Sequence, residues 1–203
     1  MMVIAYFVRH GEAETNKNDM LSSKYDGYPL TEHGRAQISE TAAQLEGIEF
    51  SSAYSSPLLR ARQTAEILVG KRKLDIQIDD RLRERGMGAM EGKSANKGNW
   101  IIPMLRKREY SMGVESFESI SERVYSFLKG LEGDGNVIVA THESPISMLA
   151  CRILGFDEFT GKGIKVGNGS VTVIEVKDKS SPRLLALGSY SIDSDYLNEV
   201  MRK

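Results

Sequence analysis

Apolar positions recur along this chain with two periods, and segments of the two kinds alternate. Residues 3–8 form a continuous apolar run rich in valine, isoleucine and aromatic residues, the pattern of a strand buried on both faces. Asn136-Val-Ile-Val-Ala-Thr141 is a second such run. Thr31 is placed to cap a helix with apolar Ala36, Ile38, Ala42, Ala43 and Leu45. Residues 52–55 read as a short strand. Ser56-Pro57 then reads as the cap and first position of a helix reaching about Val69. Residues 74–78 alternate like a strand, and 100–109 carry a short helical piece. Residues 117–131 form an amphipathic helix and 145–154 an apolar one, and strands at 170–176 and 183–190 flank a Lys-Asp-Lys-Ser turn. Residues 11–29 read as polar loop, and Gly161-Lys-Gly163 and Gly167-Asn-Gly169 as an ordinary flexible connection. This order predicts an α/β fold, a three-layer α/β/α sandwich on a mainly parallel central sheet.

Composition narrows the picture. The 203 residues are 40% hydrophobic, enough for one domain over residues 1–203 with an ample core. A net charge of −1 gives no basic field for nucleic acid. No run is long enough for a membrane span, and the N-terminal apolar run is too short for a signal segment, so a cytoplasmic protein is expected. The one cysteine, Cys151, lies in an apolar stretch and reads as a buried, inert thiol. Three histidines spaced far from one another and from aspartates give no metal signature. His33, beside Glu32 at a helix start, reads as solvated, and Arg62 as making structural or surface pairs.

The chemistry lies at strand ends. Arg9-His10-Gly11 follows the first buried run and His142 the second, where α/β sheets place ligand crevices. Two histidines there are expected to face each other across one pocket, which suggests a phosphate-handling site. Further segments extend the pattern. They are Asp26-Gly-Tyr-Pro-Leu-Thr31 with Gly34 and Gln37, Ser55-Ser-Pro-Leu-Leu-Arg60-Ala-Arg-Gln-Thr64, Leu82-Arg-Glu84-Arg-Gly-Met-Gly88 with Glu91-Gly92, Gly113-Val-Glu-Ser116, and Thr141-His142-Glu-Ser-Pro145. In this order and spacing, from Val3 to about Leu154, the chain resembles the histidine phosphatase superfamily, branch 1, which includes the cofactor-dependent phosphoglycerate mutases.

The resemblance implies a phosphoglycerate mutase-like fold, with His10 as the nucleophile that takes up the phosphoryl group. Arg9, Arg60 and His142 would hold the phosphoryl oxygens, Asn16 would donate a further hydrogen bond, and Glu84 would be the proton donor. Chemistry favours the same set. Phosphoryl transfer without a metal needs fixed cations and donors around three oxygens, and the planar arginine fork suits two of them at once. A histidine nucleophile must be neutral, with its second nitrogen on an acceptor, expected to be a backbone carbonyl. A helix opened by Ser144-Pro145 would add its N-terminal amides, and Ser144, as an anion site.

The outcome of the transfer is less legible. Glu84-Arg85 matches the Glu-Arg pair of the mutases, but Met87 stands where they carry tyrosine, and Glu143-Ser144 where they carry Gly-Asn. A carboxylate pointing into the pocket would repel a bisphosphorylated ligand. The cap segment, residues 93–112, is short for a mutase. Its Lys93, Lys97, Arg106, Lys107 and Arg108 form either a solvated helical face or a second anion clamp. Trp100, Ile101, Ile102 and Met104 either line the pocket mouth or bury a helix face. The favoured reading is metal-independent hydrolysis of a small phosphomonoester with no cofactor. The alternative is a phosphoglycerate mutase primed by 2,3-bisphosphoglycerate. An inactive binding or regulatory module is disfavoured, because the nucleophile and the arginines are kept. No nucleic acid or membrane partner is expected, and a homodimer is left open.

Overall fold

The computed structural model describes residues 2–94, 111–177 and 182–193. The expected helix at 100–109, the apolar residues Trp100, Ile101, Ile102 and Met104, and the cations Lys97, Arg106, Lys107 and Arg108 lie outside the described residues.

Among the described residues six strands form one sheet. They are β1 (Val3–Arg9), β2 (Phe50–Ser55), β3 (Ile76–Ile78), β4 (Gly135–Thr141), β5 (Val171–Val176) and β6 (Pro182–Ser189), in the spatial order β3-β2-β4-β1-β5-β6. The first four are parallel, and β5 and β6 add antiparallel pairs at one side. Among the described residues six α-helices accompany them: α1 (Glu14–Lys17), α2 (Glu32–Gln44), α3 (Leu59–Val69), α4 (Phe117–Lys129), α5 (Glu143–Leu154) and α6 (Glu158–Gly163).

The alternation of side chains along a strand makes the three layers. Val3, Ala5 and Phe7 of β1 point to one face, where they pack with Val124, Phe127 and Leu128 of α4 and Ile146 and Leu149 of α5. Ile4, Tyr6 and Val8 point to the other, against Ile38 and Leu45 near α2 and Leu68 and Val69 of α3. A strand covered on both sides reads as an unbroken apolar run, which is why β1 has no polar residue before Arg9. Each large apolar side chain buried in it contributes roughly 1.5–3 kcal/mol. The strand that ends at the site is therefore among the most firmly held parts of the molecule.

Local details refine the sequence reading. Thr31 caps α2 as expected, accepting from Gly34 N at 2.9 Å. Ser56 does not cap α3. The helix starts at Leu59 behind Leu58, and Ser56 Oγ accepts from Leu58 N at 3.3 Å, ahead of the first helical turn. α5 starts two residues ahead of Pro145, directly after His142, and ends on Gly155 in the left-handed conformation (φ 72°) that glycine adopts without strain. Leu74 belongs to a turn, its N–H donating to Arg72 O at 2.9 Å, so β3 keeps only Ile76–Ile78. Gly161-Lys-Gly163 is the end of α6, which Asp157 caps by accepting from Thr160 N at 2.8 Å. An Asp cap outweighs two glycines in so short a helix. Cys151 is buried, and burial pushes its thiol pKa up. Among the described residues no helix is long and apolar enough to cross a membrane.

Candidate active site

β1 and β4 run side by side with Arg9 opposite Thr141, and the next residue on each is a histidine. The pairing register alone thus brings His10 and His142 together, with ring centroids 5.0 Å apart and ring planes at 64°. His10 N donates to Thr141 O at 2.9 Å. Both rings are buried, His10 at 2% exposure and His142 at 0%. They stand edge to face as direct neighbours rather than on opposite walls of a pocket: His10 lines the cavity, and His142 packs against the His10 ring. Gly11 completes the turn because it lies against Gly34 at the start of α2, where a Cβ would meet the Gly34 carbonyl.

The environment of His10 fixes its chemistry. Nδ1 lies 2.8 Å from Gly11 O, and a carbonyl only accepts, so Nδ1 carries the hydrogen. Arg60 Nε donates to Nε2 at 3.1 Å, and a guanidinium only donates, so Nε2 offers its lone pair. Both partners select the same neutral tautomer. Burial, then the charges of Arg60 and Arg9, hold the His10 pKa well below its usual 6.5. Burial acts on His142 in the same direction, followed by the charges of Arg60, His10, Arg123 and Arg9. His142 Nε2 is 2.8 Å from Ser56 Oγ, which is where the hydroxyl expected to cap α3 is engaged.

The cations are held from behind. Arg60, buried in the first turn of α3, gives Nη2 to Ser22 O at 3.0 Å. Burial pulls its pKa down to about 10, with Glu84 opposing the shift. One turn on, Thr64 Oγ1 donates to Arg60 O at 2.8 Å and accepts from Gly11 N at 3.3 Å, tying α3 to the turn after β1. Arg9 Nη1 donates to Val166 O and pairs with Glu143 Oε2 at 3.1 Å. Arg9 Nε, Arg60 Nη1 and His142 Nδ1 are buried and have no hydrogen-bond partner among the described residues.

These residues border a cavity of about 350 Å³. Six of the seven sequence candidates line it: Arg9, His10, Asn16, Arg60, Glu84 and Ser144. Asn16 Oδ1 accepts from Ala13 N at 3.0 Å and from Asn168 Nδ2 at 3.4 Å. Asn168 Nδ2 also lies 2.9 Å from His10 O, so Gly167-Asn-Gly169 is part of the site and not merely a connection. Glu143 lines the cavity with its charge already shared, Oε2 on Arg9 and Oε1 3.5 Å from Lys165 Nζ.

Glu84 sits on a loop clamped by α4. Its own Oε1 accepts from Arg85 N at 2.8 Å. Glu115 Oε2 accepts from Gly86 N at 2.9 Å, and Glu115 O from Arg85 Nε at 2.8 Å. Arg123 Nη1 donates to Arg81 O at 2.7 Å and Nη2 to Glu84 O at 3.3 Å. Glu115 in turn pairs with Arg123 at 2.8 Å and Arg83 at 3.3 Å. Among the described residues no three His, Cys, Asp or Glu side chains gather as a metal site.

A sequence profile of the histidine phosphatase superfamily (branch 1) matches residues 5–188. The chain belongs to that superfamily. Its relatives in the superfamily are phosphatases and phosphoglycerate mutases, and the chain is an enzyme of this kind. It is 36% identical over 203 residues to the 2,3-bisphosphoglycerate-dependent phosphoglycerate mutase of Thermoplasma acidophilum, covering 97% of this chain and 99% of the relative. A putative α-ribazole-5′-P phosphatase from Escherichia coli superposes with a TM-score of 0.81 at 25% identity, covering 94% of this chain and 98% of the other. The phosphoserine phosphatase of Entamoeba histolytica, solved with 3-phosphoglyceric acid, superposes with a TM-score of 0.78 at 25% identity over 92% of this chain and 97% of that one. The superfamily fold is the sandwich described above.

Sequence reasoning missed Ser56, Ser22 and Asn168 as partners of the site. Ser56 carried one signal: it directly follows β2, beside β4, one residue past the paired ends.

Proposed function

We propose that the protein hydrolyses a small phosphomonoester, without a metal, through a phosphohistidine on His10 Nε2. One observation carries this reading. A neutral histidine with a fixed lone pair lies beside buried arginine nitrogens that lack partners among the described residues. A buried polar group left without a partner costs roughly 1–3 kcal/mol, and more when charged. An anion with several oxygens relieves that cost at Arg9 Nε and Arg60 Nη1 together.

The steps follow from the geometry. Arg60 Nε now donates to the lone pair that must attack, so the arriving phosphoryl oxygens take over that N–H. Nε2 forms the bond to phosphorus as the ester P–O bond breaks, and Glu84 gives its proton to the leaving oxygen. Glu84 then takes a proton from water, the water oxygen attacks phosphorus, the P–N bond breaks and neutral His10 returns. Arg9 and Arg60 hold the transferring group, Asn16 and Ser144 contact it from the wall, and His142, buried against the His10 ring with its Nδ1 free of partners among the described residues, is placed to supply a further contact. The protein is read as a cytoplasmic enzyme of one domain over residues 1–203, with residues 93–112 as its cap.

Replacing Glu84 by glutamine is expected to slow an alkyl phosphate about 10²-fold or more and an aryl phosphate much less, since phenoxide needs little help to leave. Steady-state kcat on the two substrates measures this, and equal losses would remove Glu84 from the role.

The mutase reading is favoured by the full-length similarity to the Thermoplasma acidophilum enzyme. Against it, Glu143 occupies the cavity wall and takes up part of the charge of Arg9. The protein is therefore expected to release inorganic phosphate from 3-phosphoglycerate faster than it converts it to 2-phosphoglycerate. Both rates are to be measured on one preparation with 2,3-bisphosphoglycerate and EDTA present. A conversion rate above the release rate would establish the mutase instead.

A further inference from the structure

Each histidine of the site meets one partner that decides which ring nitrogen carries its hydrogen. For His10 that partner is a carbonyl, which only accepts and so puts the hydrogen on Nδ1. For His142 it is a hydroxyl, which can donate or accept, so the other contacts of that hydroxyl decide. Ser56 is buried and fixed at the end of β2. Its N–H donates to Ala140 O at 3.0 Å, and its carbonyl accepts from Ser55 Oγ at 2.9 Å. Among the described residues its Oγ meets Leu58 N at 3.3 Å and His142 Nε2 at 2.8 Å. Leu58 N can only donate. The hydroxyl hydrogen is therefore left with one acceptor, the lone pair of His142 Nε2.

The protonation of His142 follows. Burial, then the charges of Arg60, His10, Arg123 and Arg9, hold its pKa well below 6.5, so at neutral pH the ring carries one hydrogen. With Nε2 accepting, that hydrogen is on Nδ1. The reverse tautomer would leave the Ser56 hydrogen without an acceptor and a bare lone pair at Nδ1, two unmet groups in place of one. Nδ1 is buried and has no partner among the described residues, and the same holds for Arg9 Nε and Arg60 Nη1. The His142 ring packs on His10, Arg60 reaches His10 Nε2, and Arg9 lines the same cavity. Three buried N–H donors are thus unused about His10, and a transferring phosphoryl group has three oxygens to receive them.

We propose that Ser56 is a positioning residue for phosphoryl transfer: its hydroxyl donates to His142 Nε2, holds the hydrogen on Nδ1, and so makes His142 a donor to the phosphoryl oxygens. The inference rests on the reading of His10 as phosphoryl acceptor and gives that site a residue outside the cavity wall. The two histidines carry their hydrogen on the same atom and present opposite faces. His10 offers a lone pair at Nε2 to phosphorus, and His142 offers an N–H at Nδ1 to oxygen.

Long-range proton–nitrogen correlation spectra of protein labelled with heavy nitrogen in histidine read the tautomers directly. Wild-type His142 is expected to be protonated at Nδ1 and bare at Nε2, a His142→Gln variant identifying its signals among the three histidines. Ser56→Ala is expected to give a mixture of tautomers, and Ser56→Thr, which keeps the hydroxyl, the wild-type pattern. In turnover, Ser56→Ala is expected to lose about tenfold or more in kcat, equally on alkyl and aryl phosphates, because His142 touches the part that both share. Ser56→Thr recovers most of that loss. Wild-type His142 protonated at Nε2, or full kcat in Ser56→Ala, overturns the proposal, whether or not threonine fits the site. Titration with inorganic phosphate separates this inference from the reading it rests on. In a protein that turns over no phosphomonoester, Nδ1–H on His142 and phosphate binding weakened about tenfold by Ser56→Ala uphold Ser56 and remove His10 as acceptor. Turnover through His10 with His142 protonated at Nε2 does the reverse.

Discussion

Replacing His10 by alanine is expected to abolish turnover of every phosphomonoester, by about 10⁴-fold or more, while the protein stays folded. The loss is large because the other groups only hold the phosphoryl group; none of them can accept it. The fold survives because the backbone at this position does the structural work. His10 N donates to Thr141 O and His10 O accepts from Asn168, and both bonds remain in the variant. The side chain contributes two hydrogen bonds, to Gly11 O and from Arg60 Nε. Their loss costs about 1–3 kcal/mol at neutral pH. The pH dependence of stability adds a second readout. His10 and His142 have folded pKa values well below 6.5, so below that pH the unfolded chain binds more protons and stability falls. Each such group contributes at most about 1.4 kcal/mol per pH unit. The alanine variant lacks one of them and is expected to lose stability less steeply between about pH 6.5 and about pH 5. Denaturant unfolding at the two pH values checks the slope. Phosphate recovered on His10 of wild-type protein after a rapid non-acid quench checks the intermediate. Substantial turnover by the variant would overturn the mechanism.

The residues that were legible in the sequence owe it to covalent neighbourhood. β1 and β4 announced themselves as apolar runs because both faces are covered, and His10 and His142 were conspicuous because each ends such a run. The need for a backbone acceptor on the second nitrogen of His10 followed from the chemistry of the nucleophile, and Gly11 O supplies it. Residues that serve through partners far away in the chain were not legible. Ser56 looked like a helix cap because Ser-Pro so often is one; its oxygen does accept from Leu58 N just ahead of the helix, but it also meets a histidine 86 positions away. Asn168 reaches His10 O across 158 positions from between two glycines that read as a loose connection. Glu143 was judged by its charge alone, and only the three-dimensional arrangement shows that Arg9 and Lys165 share that charge. The pattern is physical: secondary structure and strand ends are written locally, while the partners that orient a site come from whatever the fold brings near.

Replacing Glu115 by glutamine is the second change expected to have a large effect, although Glu115 does not line the cavity. Its side chain is 9% exposed and receives Gly86 N, Arg83, Ser119 and both Nε and Nη2 of Arg123. Burial raises the pKa of such a carboxyl, but the hydrogen bond and charge of Arg123, with Gly86 N and Arg83, outweigh it and leave the pKa lowered. The group therefore adds stability above its unfolded pKa of about 4.3 and loses it as pH falls through the folded value. Glutamine removes the charge and leaves two arginines short of a partner, a loss of about 2–4 kcal/mol at neutral pH that shrinks on acidification. The consequence for catalysis comes from position. Arg123 spans Glu115 and the carbonyls of Arg81 and Glu84, so loosening the pair frees the loop that aims the Glu84 carboxyl. A positioning residue of this kind typically costs about 10–100-fold when lost. The loss should fall on kcat more than on KM, and on alkyl phosphates more than on aryl phosphates, because only the alkyl leaving group depends on a well-aimed proton. A variant that unfolds more easily yet keeps kcat on both substrates would show that Glu115 braces the fold without aiming Glu84.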